Sequence, residues 1–135
     1  MPRYAYLDAS AIAKLVVAEA ESDALQRDLA LRSGLVSSRL GAVEVQRAAR
    51  RSRMPRVLQH AEDVLAALVL LELTPAILER AGRLAPPELR TLDALHLATA
   101  MMLTLPGLDF ITYDGRLADA ARAAGLAVVQ PGRSA

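Results

Sequence analysis

The sequence predicts an α/β fold with a parallel central sheet. Two observations carry this: short apolar runs alternate with helix-period patterns from end to end, and no linker, repeat or low-complexity tract interrupts the alternation over the 135 residues. A chain of this length is about one average domain, able to bury roughly two-thirds of its unfolded surface around a single core. One domain over residues 1–130 and a short tail over 131–135, frayed at the surface, is the expected organisation.

Tyr4 to Leu7 reads as the first strand, and Ser10 is placed to cap a helix running through Val17. A second helix from Ser22 to Arg32 leads to Gly34 and a short strand, Leu35 to Ser37. Arg39 to Arg51 reads as a helix ending near Met54-Pro55, because the residue before proline avoids the helical region. Val57, Leu58, Ala61, Val64, Leu65 and Leu68 follow the spacing of an amphipathic helix lying on the core. Leu70 to Leu73 reads as a third strand, and Thr74-Pro75 signals the start of a helix through Leu84, broken by Pro86-Pro87. A helix over Thr91 to Leu103, a turn at Pro106-Gly107, a strand over Phe110 to Tyr113, a helix over Arg116 to Ala124 and a last strand over Leu126 to Val129 complete the alternation.

Composition removes several function classes. Sixteen basic residues against fifteen acidic ones give a net charge of +1, so no overall field draws the chain to nucleic acid or anionic lipid, and any polyanion site must be local. Lys14 is the only lysine, so the positive charge is carried almost entirely by arginine, which favours bidentate contacts to carboxylate or phosphate. The absence of cysteine excludes disulfide scaffolds, thiolate zinc sites and cysteine nucleophiles. Aromatic residues make up 3%, too few for base stacking to be the main grip on a nucleic acid. Asp8 and Lys14 interrupt the N-terminal apolar stretch, and no run approaches the roughly 18 apolar residues of a membrane span. A soluble, cytoplasmic protein is expected.

Three aspartates fall at strand-to-helix or turn-to-helix junctions: Asp8, Asp93 and Asp114. In an open parallel sheet the carboxyl ends of the strands line the ligand crevice, and Asp8 and Asp114 each end an expected strand. Asp93, in the first turn of its helix, joins them if that helix starts at the same edge. Glu44, between Val43 and Val45, joins them if its helix face turns inward. Taken singly, each aspartate is equally a helix cap or dipole partner, and Glu44 an i, i+3 partner of Arg47. Taken together they need a counter-charge, since two unit charges about 4 Å apart repel by about 4 kcal/mol at an effective dielectric near 20. With oxygen ligands and few histidines, the cation of choice is Mg²⁺ or Mn²⁺. Such a centre suits phosphodiester hydrolysis by an activated water and needs no serine or histidine nucleophile. His96, among Leu95, Leu97 and Ala98, reads as a packed, hydrogen-bonded core histidine, and His60 as solvent-facing. The run Arg47, Arg50, Arg51, Arg53 and Arg56 is either a solvated face or a phosphate guide, and Arg116 is a closer candidate for a phosphate contact.

Four segments in order, Leu7-Asp8-Ala9-Ser10-Ala11, Ser38 to Arg51 around Glu44, Arg90 to Ala98 around Asp93, and Thr112 to Leu117 around Asp114, make the chain resemble the PIN-domain ribonucleases and, within them, the VapC toxins of toxin–antitoxin pairs. The resemblance runs from Tyr6 to about Val129. It implies a three-layer α/β/α sandwich and a Mg²⁺- or Mn²⁺-dependent endoribonuclease acting on structured RNA such as a tRNA or ribosomal RNA loop. Asp8 and Asp93 would be principal metal ligands, Asp114 would complete the site or hold a second ion, and Glu44 would bind directly or through water. Ser10 and Thr112 would orient carboxylates or water. A homodimer lining up two sites and a VapB-like antitoxin covering the groove are the implied partners. Asp109 and Asp119 are alternative acids to Asp114 in a different register. Two other readings compete: a PIN module that binds RNA or protein without cutting, which the loss of an acid would favour, and a receiver-like or phosphatase Mg²⁺ enzyme, for which a late lysine is missing.

Overall fold

Asp8 determines how the first crossover begins. β1 (Tyr4–Leu7) hands over to it in extended conformation, and its Oδ1 accepts from the Ala11 N–H at 3.0 Å, capping α1 (Ala9–Val16). Ser10, expected as the cap, lies one residue inside the helix and donates to Asp8 instead, because the carboxylate already occupies the last extended position. The computed structural model describes residues 1–133 and continues through α2 (Ser22–Leu29), β2 (Gly34–Ser38), α3 (Arg39–Ser52), α4 (Pro55–Ala66), β3 (Val69–Leu71), α5 (Pro75–Ala81), α6 (Thr91–Met101), β4 (Asp109–Ile111), α7 (Gly115–Ala123) and β5 (Ala127–Val129). Thr74 caps α5 through the Ile77 N–H, with Pro75 in the first helical position, as its sequence signal requires.

All five strands are parallel, in the order β3-β2-β1-β4-β5. Alternate side chains face opposite layers. Ala5, Leu7 and Ile111 pack with Ile12, Leu25, Val45 and Leu65 from α1 to α4; Tyr6, Val36 and Phe110 pack with Leu97, Leu117 and Ala121 from α6 and α7. The result is the expected three-layer α/β/α arrangement. Tyr6 and Phe110 stack with centroids 5.4 Å apart, worth about 1 kcal/mol beyond their buried area.

The chain leaves β1 for one side of the sheet and returns to its other side at β4, so the crevice between the carboxyl ends of β1 and β4 is the topological switch point. Strand ends differ from expectation for one reason. A strand stops where its neighbour turns away into a helix: Leu71 pairs with Ser38 just before α3, and Ile111 pairs with Leu7 just before Asp8. β3 therefore ends at Leu71 rather than Leu73, and β4 at Ile111 rather than Tyr113. No helix among the described residues is long and apolar enough to cross a membrane.

Residues 130–133 are tied down, not frayed. The Gln130 side-chain amide donates to the Thr112 carbonyl, the Tyr113 hydroxyl to the Pro131 carbonyl, and Arg133 to the Tyr113 carbonyl and to Glu21. Lys14, nearly buried, completes the cluster at 3.0 Å from Glu21 and lies over the Tyr113 ring, as does Arg133. The rest of the expected tail, 134–135, lies outside the described residues. Hydrogen bonds from Lys14 and Arg133 hold the Glu21 carboxyl down to about 2. A depressed carboxyl contributes stability above its unfolded value, and that contribution is lost as pH falls through about 2. The Arg133 amide, which donates to the Gln130 carbonyl, should thus stay protected from exchange well below the usual carboxylate range. Glu21→Gln should lower that protection several-fold at neutral pH, measured by hydrogen exchange, and leave the sheet amides unchanged.

Candidate active site

Two of the four acids meet through one hydroxyl. Thr112, just past β4, donates to Asp8 Oδ2 at 2.6 Å and accepts the Asp114 N–H at 3.1 Å. Ser10 donates to Asp8 Oδ1 at 2.7 Å and accepts the Tyr113 N–H at 2.9 Å. Each hydroxyl has one proton and spends it on Asp8, so both carboxylate oxygens are fixed in orientation. The Ser10 and Thr112 hydroxyls thus set the orientation of the Asp8 carboxylate.

Asp114 is the N-cap of α7, three residues past the end of β4. Its Oδ1 accepts from the Leu117 N–H, and its Oδ2 faces the Arg90 guanidinium at 3.1 Å. Arg90 also reaches Asp93 Oδ2 at 3.2 Å. α6 does start at the same edge as Asp8, and a single arginine bridges its first-turn acid to Asp114.

Glu44 turns inward and meets the site through α6. The carboxylate can only accept, so the His96 Nε2–H donates to it at 2.6 Å, and in the neutral ring Nδ1 accepts from the Tyr6 hydroxyl at 2.8 Å. Burial drives the Tyr6 phenol up, so it remains a neutral donor. His96 is 1% exposed, the packed core histidine that its neighbours predict. Gly41 makes the approach possible: a Cβ there would stand 2.8 Å from Ser37 Oγ and 3.1 Å from the His96 ring.

Burial pushes the Asp8 carboxyl above the ordinary range, against the Thr112 and Ser10 hydroxyls, His96 and the Ala11 N–H, which pull it down. Burial also raises Asp93; Arg90 opposes this and the Asp114 charge adds to it. Burial is thus the larger cause at both acids, so ionising either one here costs more than it would in open water. Among the described residues no three carboxylate or imidazole side chains converge closely enough to cage a cation as they lie, and Arg90 bridges two of the acids. The donor set nevertheless fits a hard divalent ion: carboxylate oxygens from four segments, a buried Asp8 held only by neutral donors, and a guanidinium that is 71% exposed and buries little by staying. Mg²⁺ or Mn²⁺ matches oxygen donors of this kind.

The remaining candidates lie around this centre. Arg116 is exposed and lines a cavity with Arg90 and Asp93, touching none of the acids through an ion pair. Arg47 and Arg51 line a groove that reaches Ser10 and Glu44, whereas Arg50, Arg53 and Arg56 do not; all five are exposed and outside every ion pair among the described residues. Asp109 starts β4 at the opposite edge, paired with Arg32 and Arg3, and Asp119 is exposed beside Arg122 on the cavity that Asp93 and Arg90 also line. His60 is exposed and contacts the Leu15 carbonyl. Arg90 and Tyr6 were not singled out from the sequence. The i, i+3 spacing of Arg90 to Asp93 was a usable signal for the first; nothing local marks the second.

A carboxyl with a raised pKa holds its proton more tightly in the folded chain. Its contribution to stability is full below the ordinary carboxylate value and lost as pH rises through the raised one. Ionised Asp8 therefore destabilises the cation-free fold at neutral pH. Asparagine is as good a cap as aspartate, so Asp8→Asn should melt higher than the parent at pH 7 in EDTA. The gap should close as pH falls below about 4, where Asp8 is neutral in the folded and the unfolded chain alike. Thermal melts across that range check it.

The PIN domain family model matches residues 5–123. Ribonuclease VapC46 of Mycobacterium tuberculosis is 48% identical over 126 residues, covering 93% of this chain and 96% of that protein. The crystal structure of VapC20 from the same organism, a sarcin-ricin loop cleaving toxin, superposes with a TM-score of 0.73 at 20% identity, covering 94% of this chain and 99% of that one. A toxin–antitoxin complex from Klebsiella pneumoniae gives 0.71 at 26% identity, covering 94% and 97%. With four acids around the switch point of a parallel sheet and this degree of similarity along nearly its whole length, the chain belongs to the PIN-domain family and to its VapC ribonucleases.

Proposed function

We propose that this chain is the endoribonuclease toxin of a toxin–antitoxin pair, hydrolysing RNA phosphodiesters at the Asp8, Glu44, Asp93 and Asp114 site with the help of Mg²⁺ or Mn²⁺. The observation that carries the proposal is the gathering of these acids at the sheet's switch point, with Asp8 buried among neutral donors and Asp93 and Asp114 sharing one arginine. Asp8, Asp93 and Asp114 would hold the ion, and Glu44 would reach it directly or through water. Bound there, the ion supplies Lewis-acid chemistry: it neutralises the carboxylates, makes water more acidic and offsets charge building on the phosphate.

The chain's own residues supply the rest. Ser10 and Thr112 keep the Asp8 oxygens aimed at the mouth, and the Thr112 hydroxyl ties Asp114 to the same frame. Glu44 is kept in place by His96, whose other nitrogen is anchored on Tyr6 in the core. Arg116, exposed at the rim, is placed to hold a phosphate of the strand. With so few aromatic residues the RNA would be read by backbone and shape, consistent with a structured tRNA or ribosomal RNA loop in the cytoplasm.

A groove of about 670 Å³ runs from Ser10 and Glu44 between α1, α3 and α4, walled by Val16, Val17, Leu40, Val43 and Val57, with Arg47 and Arg51 along it. An amphipathic segment with apolar and acidic faces fits this lining, and we assign the groove to a VapB-like antitoxin. In the same reading two copies of the chain pair as a homodimer that lines up their acid sites.

Purified protein incubated with total RNA should cleave it in Mn²⁺ or Mg²⁺ and stop in EDTA. Asp8→Asn and Asp93→Asn should each lower the rate by more than the roughly 10- to 100-fold typical of losing an outer-shell partner, and Ser10→Ala or Thr112→Val by about that amount. Mapped 5′ ends and circular dichroism of each variant separate lost chemistry from lost fold. Full metal-dependent cleavage by Asp93→Asn would sink the assignment, and RNA binding without any cleavage would favour a non-cutting module.

A further inference from the structure

We propose that Arg90 is the site's own stand-in cation: in the metal-free chain it holds Asp93 and Asp114 together, and it must give up their shared oxygens before a divalent ion can bind. The inference rests on the cation-dependent reading above and goes beyond it by assigning a positioning role to a residue outside the four acids. Both of its contacts end on Oδ2 atoms, at 3.2 Å from Nε and 3.1 Å from Nη2, so one planar guanidinium spans two acids from different helices. At Asp114 the oxygen it covers is the one left over; at Asp93 it takes Oδ2, and Oδ1 carries no hydrogen bond among the described residues. Asp114 spends its Oδ1 on the cap of α7, and Asp8, across the mouth, has only neutral donors within hydrogen-bond range.

Arg90 is built to leave. Its side chain is 71% exposed, and as N-cap of α6 it contributes only backbone, so releasing the guanidinium leaves the helix start intact. A cavity of about 680 Å³ opens beside it, lined by Pro86, Leu89 and Ala120, with Glu88, Asp119 and Arg116 around it. The displaced guanidinium has room there, carboxylate acceptors, and a second arginine nearby with which to share a phosphate. Occupancy of the two Oδ2 atoms by Arg90 and by a divalent ion is therefore mutually exclusive, and Arg90 sets the ion concentration at which the site loads with both acids as ligands.

The test is Mn²⁺ binding to the purified full chain without RNA, read by electron paramagnetic resonance, for the parent, Arg90→Gln, Arg90→Ala and Arg90→Lys. Giving up two partly exposed ion pairs predicts roughly three- to thirty-fold tighter binding for Arg90→Gln and Arg90→Ala, a gap that narrows as salt rises. Arg90→Lys, charged but unable to fork across two carboxylates, should fall between them and the parent. In EDTA, Arg90→Ala should melt lower than the parent, and adding Asp93→Asn should restore it. If the parent binds Mn²⁺ and the Gln and Ala variants bind it equally or more weakly, the proposal is wrong. If circular dichroism finds either of them unfolded, Arg90→Lys decides by the same comparison. A parent that binds no Mn²⁺ and cleaves in EDTA overturns the cation-dependent reading itself, a result distinct from failure of the Arg90 step.

Discussion

Negative charge gathered at one edge of the sheet is the constraint around which the rest of the molecule is arranged. The parallel topology fixes the place, because strands that all point one way deliver every strand-to-helix junction to the same edge. Capping chemistry then supplies the residue type. Aspartate at such a junction satisfies free N–H groups of the next helix, and it has two oxygens. Asp8 and Asp114 use one oxygen on α1 or α7 and turn the other to the mouth. The structural and functional readings of these aspartates are thus both true of the same side chain.

Glu44 solves a harder problem, since it sits in the second turn of α3 with no cap to make. Its partner comes from the opposite layer. His96 on α6 reaches Glu44 with one nitrogen and Tyr6 of β1 with the other, and Tyr6 is clamped between His96 and Phe110. This chain of contacts joins the two helical layers through the direct bond from α6 to α3, so the position of Glu44 is set by packing in the core. Small residues make room for it: Gly41 lets α3 close on Ser37 and His96, and Ser37 donates to the Leu7 carbonyl beneath Asp8.

The fold class, the strand and helix order, and the junction positions of Asp8 and Asp114 were legible because each depends on short-range information. Periodicity separates strands from helices, and junction aspartates follow from helix capping. Strand ends were less legible, since Leu71 and Ile111 stop pairing when a neighbour from a distant part of the sequence turns away. Ser10 was misread as a cap because Asp8, two positions earlier, competes for the same role and wins by standing at the last extended residue. The bond from His96 to Glu44, between residues 52 positions apart, has no local signature at all. Arg90 lies between these cases: its spacing to Asp93 was visible, but its second contact, to Asp114, exists only once α6 and α7 share an edge.

The chain's end shows the same non-local logic at work on the site's frame. β4 and β5 pair as far as Ile111 and Val129, and beyond that the backbone ladder stops. The next residues on the β4 side are Thr112, Tyr113 and Asp114, where the site needs its most fixed geometry. Side chains take over from the ladder there: Gln130 holds the Thr112 carbonyl, Arg133 the Tyr113 carbonyl, and Tyr113 reaches back to Pro131. Since Arg133 also binds Glu21, and Glu21 binds Lys14 on α1, the strap closes a loop that returns to the helix Asp8 caps. The Thr112 hydroxyl is therefore held from both sides, by the strap on its backbone and by Asp8 on its side chain. A segment with little burial of its own thus keeps two acids aligned, and its cost in chain entropy is offset by a carboxylate that remains ionised far into the acid range.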